Sequence, residues 1–156
     1  MLDFFQILGY SGGIPTSNRG VSCMILSSLN YDIMVDCGEG SYLLWKEAKY
    51  KWKKLKYIII THMHPDHIGG LVPLLFYRKI FDITTPLTII GPPLLKFFVK
   101  DSFEYSGITM IENLNWINIS NKKLINISNK IKIQGMEMKH KIPCWGYSFS
   151  DNKNKL

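Results

Sequence analysis

Residues 57–61 read YIIIT, an apolar, β-branched run without a charge, and the chain passes at once into HMHPDHIGG at 62–70. A run of that kind makes a short strand buried on both faces, so the sheet that holds it needs cover above and below. Pro65 and the Gly69-Gly70 pair then turn the chain out of the strand toward a helix. Three of the four histidines in the chain, with Asp66 among them, are crowded into six positions at that turn. A chain with this centre is an α/β protein whose chemistry sits where a strand gives way to a helix.

The cluster has the composition of a metal site. His62 and His64 are two apart just past the strand, so in extended backbone their side chains project to the same side and converge on one ion. Asp66 and His67 follow at the turn and point to a second ion close by. His140, the one other histidine, closes the alternating segment MEMKH and is expected at a strand end, where it supplies a third nitrogen. Three histidines with an open position leave room for a water whose pKa falls to about 7. Two ions roughly 3.5–4 Å apart can hold the attacking and leaving oxygens of a phosphodiester. A capping or surface role is the plain alternative for any one of these histidines, but not for an HxHxDH set in a chain this poor in histidine.

The remaining pattern alternates strands and helices. Asp3–Leu8 reads as a strand and GYSGGIPTSNRG as a loop. VSCMILSS and YDIMVDCG read as a hairpin of buried strands turning at Leu29-Asn30. Leu43, Leu44, Ala48 and Trp52 are spaced for a helix after GEGS, and a second helix runs through LVPLLFYRKIF with Pro73 in its first turn. PLTIIGP reads as a strand and LLKFFVKDSF as a helix. The hexapeptide INISNK occurs at 117–122 and again at 125–130, which predicts successive strands with polar turns, since a period of eight is too short for a solenoid unit.

Length, charge and cysteine usage set the remaining bounds. The 156 residues make one domain at most, 1–156, with 151–156 expected to be a frayed tail. A net charge of +7 suits a polyanionic partner such as RNA, although lysines among asparagine and isoleucine also serve as a solvated surface. Cys23, Cys37 and Cys144 are odd in number and far apart, which argues against a disulfide framework and for a reducing, cytoplasmic setting. No apolar run approaches the ~18 residues of a membrane span, and no basic leader precedes the first strand.

HxHxDH after an apolar strand, with DCGEGS before it and HKIPCWGY after it, resembles the metallo-β-lactamase fold, an α/β αββα sandwich. Within that fold the chain resembles ribonuclease Z, the endonuclease that removes the 3′ trailer from precursor tRNA. The likeness runs from LGYSGGIPTSNRGVSC through MVDCGEGSYLL and THMHPDHIGGL to PLTIIGP and MKHKIPCWGYSF. It implies two Zn2+ ions in a complete enzyme, the first on His62, His64 and His140 and the second on Asp66 and His67. Asp66 would also be the catalytic general base, and Asp36 would orient ligands from behind. Pro15 and Arg19 would help bind tRNA.

This chain has PTSNRG where the family reads approximately PxKxRN, so Ser17 and Gly20 depart from the pattern. No histidine follows His140, so the later ligands and proposed general acid of the family are missing. The chain therefore reads as the N-terminal half of such an enzyme, with one tight zinc site, completed by a homodimer or by a second chain. Another phosphodiesterase acting on a small substrate and a non-catalytic zinc- or RNA-binding remnant are the competing readings.

Overall fold

A computed structural model describes residues 3–127 and 131–151 of the chain. The apolar run forms most of β4 (Leu55–Ile59), which stands inside a six-stranded sheet of order β1-β2-β3-β4-β5-β6. Its neighbours are β1 (Phe4–Gly9), β2 (Cys23–Ser27), β3 (Asp32–Val35), β5 (Leu87–Gly91) and β6 (Leu114–Asn118). β1, β2 and β3 pair antiparallel, whereas β3 to β6 run parallel. Parallel neighbours require crossover connections. These are α1 (Ser41–Glu47), then α2 (Pro65–Ile68) with α3 (Leu71–Ile80), then α4 (Leu95–Tyr105).

The helices cover one face of the sheet. Trp45, Leu71, Leu74, Leu75, Val99 and Phe103 are buried against Ile25, Met34, Ile58 and Ile89. α1 stops before the Trp52 that its spacing suggested, because Lys49 takes a left-handed φ of 63°. That turn folds Trp52 back onto Trp45, with ring centroids 4.7 Å apart.

The other face carries a second, antiparallel sheet of order β7-β8-β9, formed by β7 (Leu124–Asn126), β8 (Ile131–Glu137) and β9 (Trp145–Asp151). Ile125, Ile131, Ile133, Trp145 and Phe149 pack from it onto Ile33, Val35, Ile59 and Ile90. The layers are thus helix, sheet and sheet, as the α/β reading requires. The chain's own β7, β8 and β9 thus roof part of this face. Each copy of the repeat begins on the end of a strand, β6 and then β7; the polar turn of the second copy, 128–130, lies outside the described residues.

Two expectations change. β8 ends at Glu137, so His140 sits in the loop before β9 rather than at a strand end. The loop is pinched shut by Met138 N–H donating to the Cys144 carbonyl at 2.9 Å. Asp151 belongs to β9, and the rest of the expected tail, 152–156, lies outside the described residues. Cys23, Cys37 and Cys144 are buried free thiols. Among the described residues no helix is long and apolar enough to cross a membrane.

Candidate metal centre

The site forms at the carboxyl ends of the parallel strands, where two turns are fastened backbone to backbone. Cys37 N–H donates to the His67 carbonyl and Gly70 N–H to the Cys37 carbonyl, both at 2.8 Å. The contact is so close that a Cβ on Gly38 would lie 2.1 Å from the Asp66 carbonyl oxygen, and one on Gly70 would lie 2.1 Å from that of Gly38. These glycines let DCGEGS and HPDHIGG share one surface, which brings Asp36 beneath His67.

Asp36 is buried and holds a left-handed φ of 57°, a conformation that aspartate adopts more readily than most residues. Its carboxylate accepts from Thr61 N–H at 2.9 Å, from the Thr61 hydroxyl at 3.0 Å and from Ser22 Oγ at 3.1 Å. His67 Nδ1 lies 2.6 Å from Asp36 Oδ2, which fixes the ring proton on Nδ1 and leaves Nε2 as the free lone pair. Burial lowers the His67 pKa, but the hydrogen bond and charge of Asp36, with the charge of Asp66, outweigh it and raise the value. Asp66 Oδ2 is 3.3 Å from His67 Nε2, so these two side chains present a nitrogen and an oxygen side by side.

Thr61 sets His62 in the same way. Its hydroxyl donates to Asp36 and, at 2.9 Å from His62 Nδ1, accepts the proton carried there. Nε2 of His62 then faces Nδ1 of His64 at 3.0 Å. Burial first, and then the charges of His67, His140 and His64, push His62 down to about 4 against the opposing pull of Asp36. His62 is consequently a neutral imidazole at physiological pH, the form that ligates metal.

His62, His64 and His140 bring their ligand nitrogens within 4.8 Å of one another. Nitrogens about 2.0–2.1 Å from one tetrahedral ion stand roughly 3.3 Å apart, so a modest closure of this triangle fits a zinc-sized cation. His62 and His64 are preset for that closure; His140 is exposed, and its Nδ1 accepts Lys141 N–H at 2.7 Å. For a neutral His140 that contact places the proton on Nε2, so the ring or the Lys141 amide has to give way before Nε2 can ligate.

Pro15 and Arg19 lie elsewhere. Their loop folds back through Thr16 N–H to Arg19 carbonyl, 2.9 Å, and lines a cavity of about 490 Å3 shared with Glu39, Leu43 and Glu47. Arg19 stacks over Tyr10, 5.6 Å from its centroid. The loop therefore borders the GEGS turn rather than joining the histidines. Sequence reasoning missed Thr61 and Ser22, which hold Asp36; the hydroxyl directly ahead of HxHxDH was the available signal.

Comparison with known proteins identifies the fold and the relatives of the chain. Ribonuclease Z of Clostridium novyi is 36% identical over 158 residues, covering 92% of this chain and 49% of that protein. The Marinobacter nauticus ribonuclease Z is 33% identical over 149 residues, 94% of this chain and 46% of that one. The chain thus spans about half the length of the curated relatives it matches. The crystal structure of human tRNase Z, short form, superposes with a TM-score of 0.84 at 25% identity, over 97% of this chain and 66% of that one. The metallo-β-lactamase fold protein YhfI from Bacillus subtilis superposes at 0.77 and 22% identity, over 97% of this chain and 58% of its own. The sequence model described as Anti-Pycsar protein Apyc1 matches residues 5–152. The chain adopts the metallo-β-lactamase fold, has ribonuclease Z among its homologues, and belongs to the family described as Anti-Pycsar protein Apyc1.

Proposed function

We propose that the chain is the histidine-bearing half of a zinc-dependent phosphodiesterase of ribonuclease Z type, which acts on precursor tRNA in the cytoplasm together with the half of the fold that this chain does not span. One observation carries the reading: His62, His64 and His140 converge beside an Asp66–His67 pair, while Asp36 and Thr61 hold the ring protons on the far nitrogens of His62 and His67. Zinc held there supplies Lewis-acid charge and lets water react as a nucleophile at neutral pH. His62, His64 and His140 bind the first ion, and Asp66 and His67 contribute to the second. Asp66, partly exposed beside His67, accepts the proton of the attacking water. Asp36 keeps His67 Nε2 turned toward the reacting centre, and Arg19 and Pro15 contact tRNA from the neighbouring loop.

A second reading has its own support. The PTSNRG loop departs from the ribonuclease Z pattern, and the matching sequence model is described by another protein's name, so a small phosphodiester is the alternative substrate. The completed enzyme should be offered precursor tRNA beside bis(p-nitrophenyl) phosphate, with zinc, as wild type and as Asp66→Ala. Cleavage 3′ of the tRNA body that falls by at least about 100-fold in Asp66→Ala with tRNA binding retained supports the proposal. Hydrolysis of the small ester alone favours the second reading, and equal loss of binding and cleavage refutes the role of Asp66.

A further inference from the structure

The buried stripe of α3 consists of Leu71, Leu74, Leu75 and Arg78, the i, i+3, i+4, i+7 spacing of one helical face. A fourth apolar residue would complete it, but the chain has a guanidinium. Arg78 is 0% exposed, and its Nε, Nη1 and Nη2 find no hydrogen-bond acceptor among the described residues. The buried hydroxyl of Thr85, just beyond the same helix, is also without a partner. Burial lowers the pKa of Arg78, yet an arginine in a protein remains charged. A buried charge with nothing opposite it is strongly destabilising unless an anion meets it. Nothing in the metal centre uses this group.

Arg78 stands at the wall of a cavity of about 440 Å3, lined also by Lys79, Asp82, Thr84, Met110 and Glu112. The cavity lies at the amino ends of β5 and β6, whose first residues are Leu87 and Leu114. The metal centre is at the carboxyl ends, so the two are separated by the five residues of a strand, roughly 16 Å. Asp82 and Glu112 face the same space, yet neither pairs with the guanidinium. The outer wall is the segment 107–113, which lies between α4 and β6 and belongs to neither. It begins and ends on left-handed residues, Gly107 with φ 67° and Asn113 with φ 61°. Its middle is tied to α3 by Lys79 Nζ, which donates to the Thr109 carbonyl at 2.6 Å. The guanidinium nitrogens are sealed behind that tie, so a ligand gains them by parting the segment from α3.

We propose that this cavity is a second ligand site, which takes the phosphate group of a small molecule on the fork of Arg78. A fork of parallel N–H donors fits two oxygens of a phosphate or a carboxylate equally well. Lys79, released from Thr109 when the segment parts, and the Thr84 hydroxyl offer donors to the further oxygens that only a phosphate has. Asp82 and Glu112, both exposed at the rim, repel an extended polyanion and leave room for a compact one. The volume is that of a small-molecule pocket, and Met110 with Ile111 gives it an apolar wall for the body of a phosphomonoester. The site is independent of the function proposed above, whose histidines lie at the other end of the sheet.

The test is titration of the metal-free chain, at constant ionic strength, with phenyl phosphate and with inorganic phosphate. Calorimetry should show saturable binding, and the Arg78 Nε–H resonance should shift in step with it. Arg78→Met should weaken binding at least about 30-fold, as expected for the loss of two hydrogen bonds to a charged group. Arg19→Ala, in the other loop that carries an arginine, should leave it unchanged. If Arg78→Met does not fold, the Nε–H resonance of the wild-type chain decides alone. Tighter binding of phenyl phosphate marks an organic phosphomonoester as the ligand and tighter binding of inorganic phosphate marks the free ion; either sustains the site. No binding at millimolar ligand, an Nε–H resonance that does not move, or binding that survives Arg78→Met or is lost in Arg19→Ala overturns the proposal. Its failure leaves the metal centre and the function proposed above as they stand.

Discussion

Replacing Asp36 by asparagine separates what the carboxylate does for the fold from what it does for metal. The asparagine occupies the same volume and tolerates the φ of 57° nearly as well. One side-chain oxygen remains for Thr61 N–H and the Thr61 hydroxyl, now at 2.9 and 3.0 Å. The other oxygen, which meets Ser22 Oγ at 3.1 Å and His67 Nδ1 at 2.6 Å, becomes an amide NH2. Two hydrogen bonds to a charged group are lost, each worth about 1.5–3 kcal/mol, while rotation of the Ser22 hydroxyl and a tautomer change in His67 recover part. The net destabilisation is about 1–3 kcal/mol, or roughly 3–10 °C in the melting temperature of a chain this size. The tautomer change matters more for function, because it moves the His67 proton to Nε2, beside Asp66. Zinc titration should therefore show the weaker site falling by about 10- to 100-fold and the tight site barely changing. Calorimetry and a competitive zinc indicator on wild type and Asp36→Asn read the two effects separately. Unchanged affinity at the weaker site, with the melting temperature lowered as expected, would show that Asp36 supports the turn and not the His67 tautomer.

Other substitutions probe the rest of the centre. His140→Ala should weaken the tight zinc site by more than about 100-fold, and zinc should shift the Lys141 amide resonance of the wild-type chain as His140 releases it; two equally tight sites, or a silent Lys141, would refute the assignment. Gly70→Ala places a methyl against the Gly38 carbonyl and should destabilise the chain by about 1–3 kcal/mol or more in thermal melts; a neutral result would mean that the two turns are not in contact in solution. In the metal-free chain, the lowered pKa of His62 makes stability fall as pH drops from about 6.5 toward 4, since the unfolded state binds the proton first. The raised pKa of His67 adds stability that is full below about 6.5 and lost as pH climbs through its folded value. His62→Gln should flatten the acid side of the stability profile and His67→Gln the alkaline side, and a profile unchanged by either would contradict these environments.

The centre was legible because its residues are close in sequence and carry uncommon chemistry. YIIIT demanded a doubly covered strand, and β4 is one. HxHxDH demanded convergence, and His62 and His64 do meet at 3.0 Å. His140 was found by elimination as a fourth histidine, but its backbone was not. A strand pattern of alternating residues looked continuous through MEMKH, and nothing local announced that the Met138–Cys144 closure would end β8 early. Helix α1 failed in the same way, since an apolar spacing that persists to Trp52 does not reveal a left-handed Lys49.

Beyond Asp36, which the resemblance placed behind the ligands, sequence reading did not reach the groups that hold it, because partnerships between distant segments leave no periodicity. Ser22, Asp36 and the Thr61–His67 segment come from three separate stretches and meet around one carboxylate. The two turns that hold them together are joined by main-chain groups, and only the glycines record the fact, as residues absent of side chains. The acidic and imidazole groups in DCGEGS and HPDHIGG identify the chemistry, whereas Gly38 and Gly70 are there so that the Asp66 and Gly38 carbonyls can come within reach. A chain that kept every histidine and lost these glycines would retain the ligands and lose the distance between them, because a displaced turn moves His67 off Asp36 and frees its tautomer. The spacing of the cluster is thus set by backbone contact between two loops, and the ring protons of His62 and His67 are held by Thr61 and Asp36.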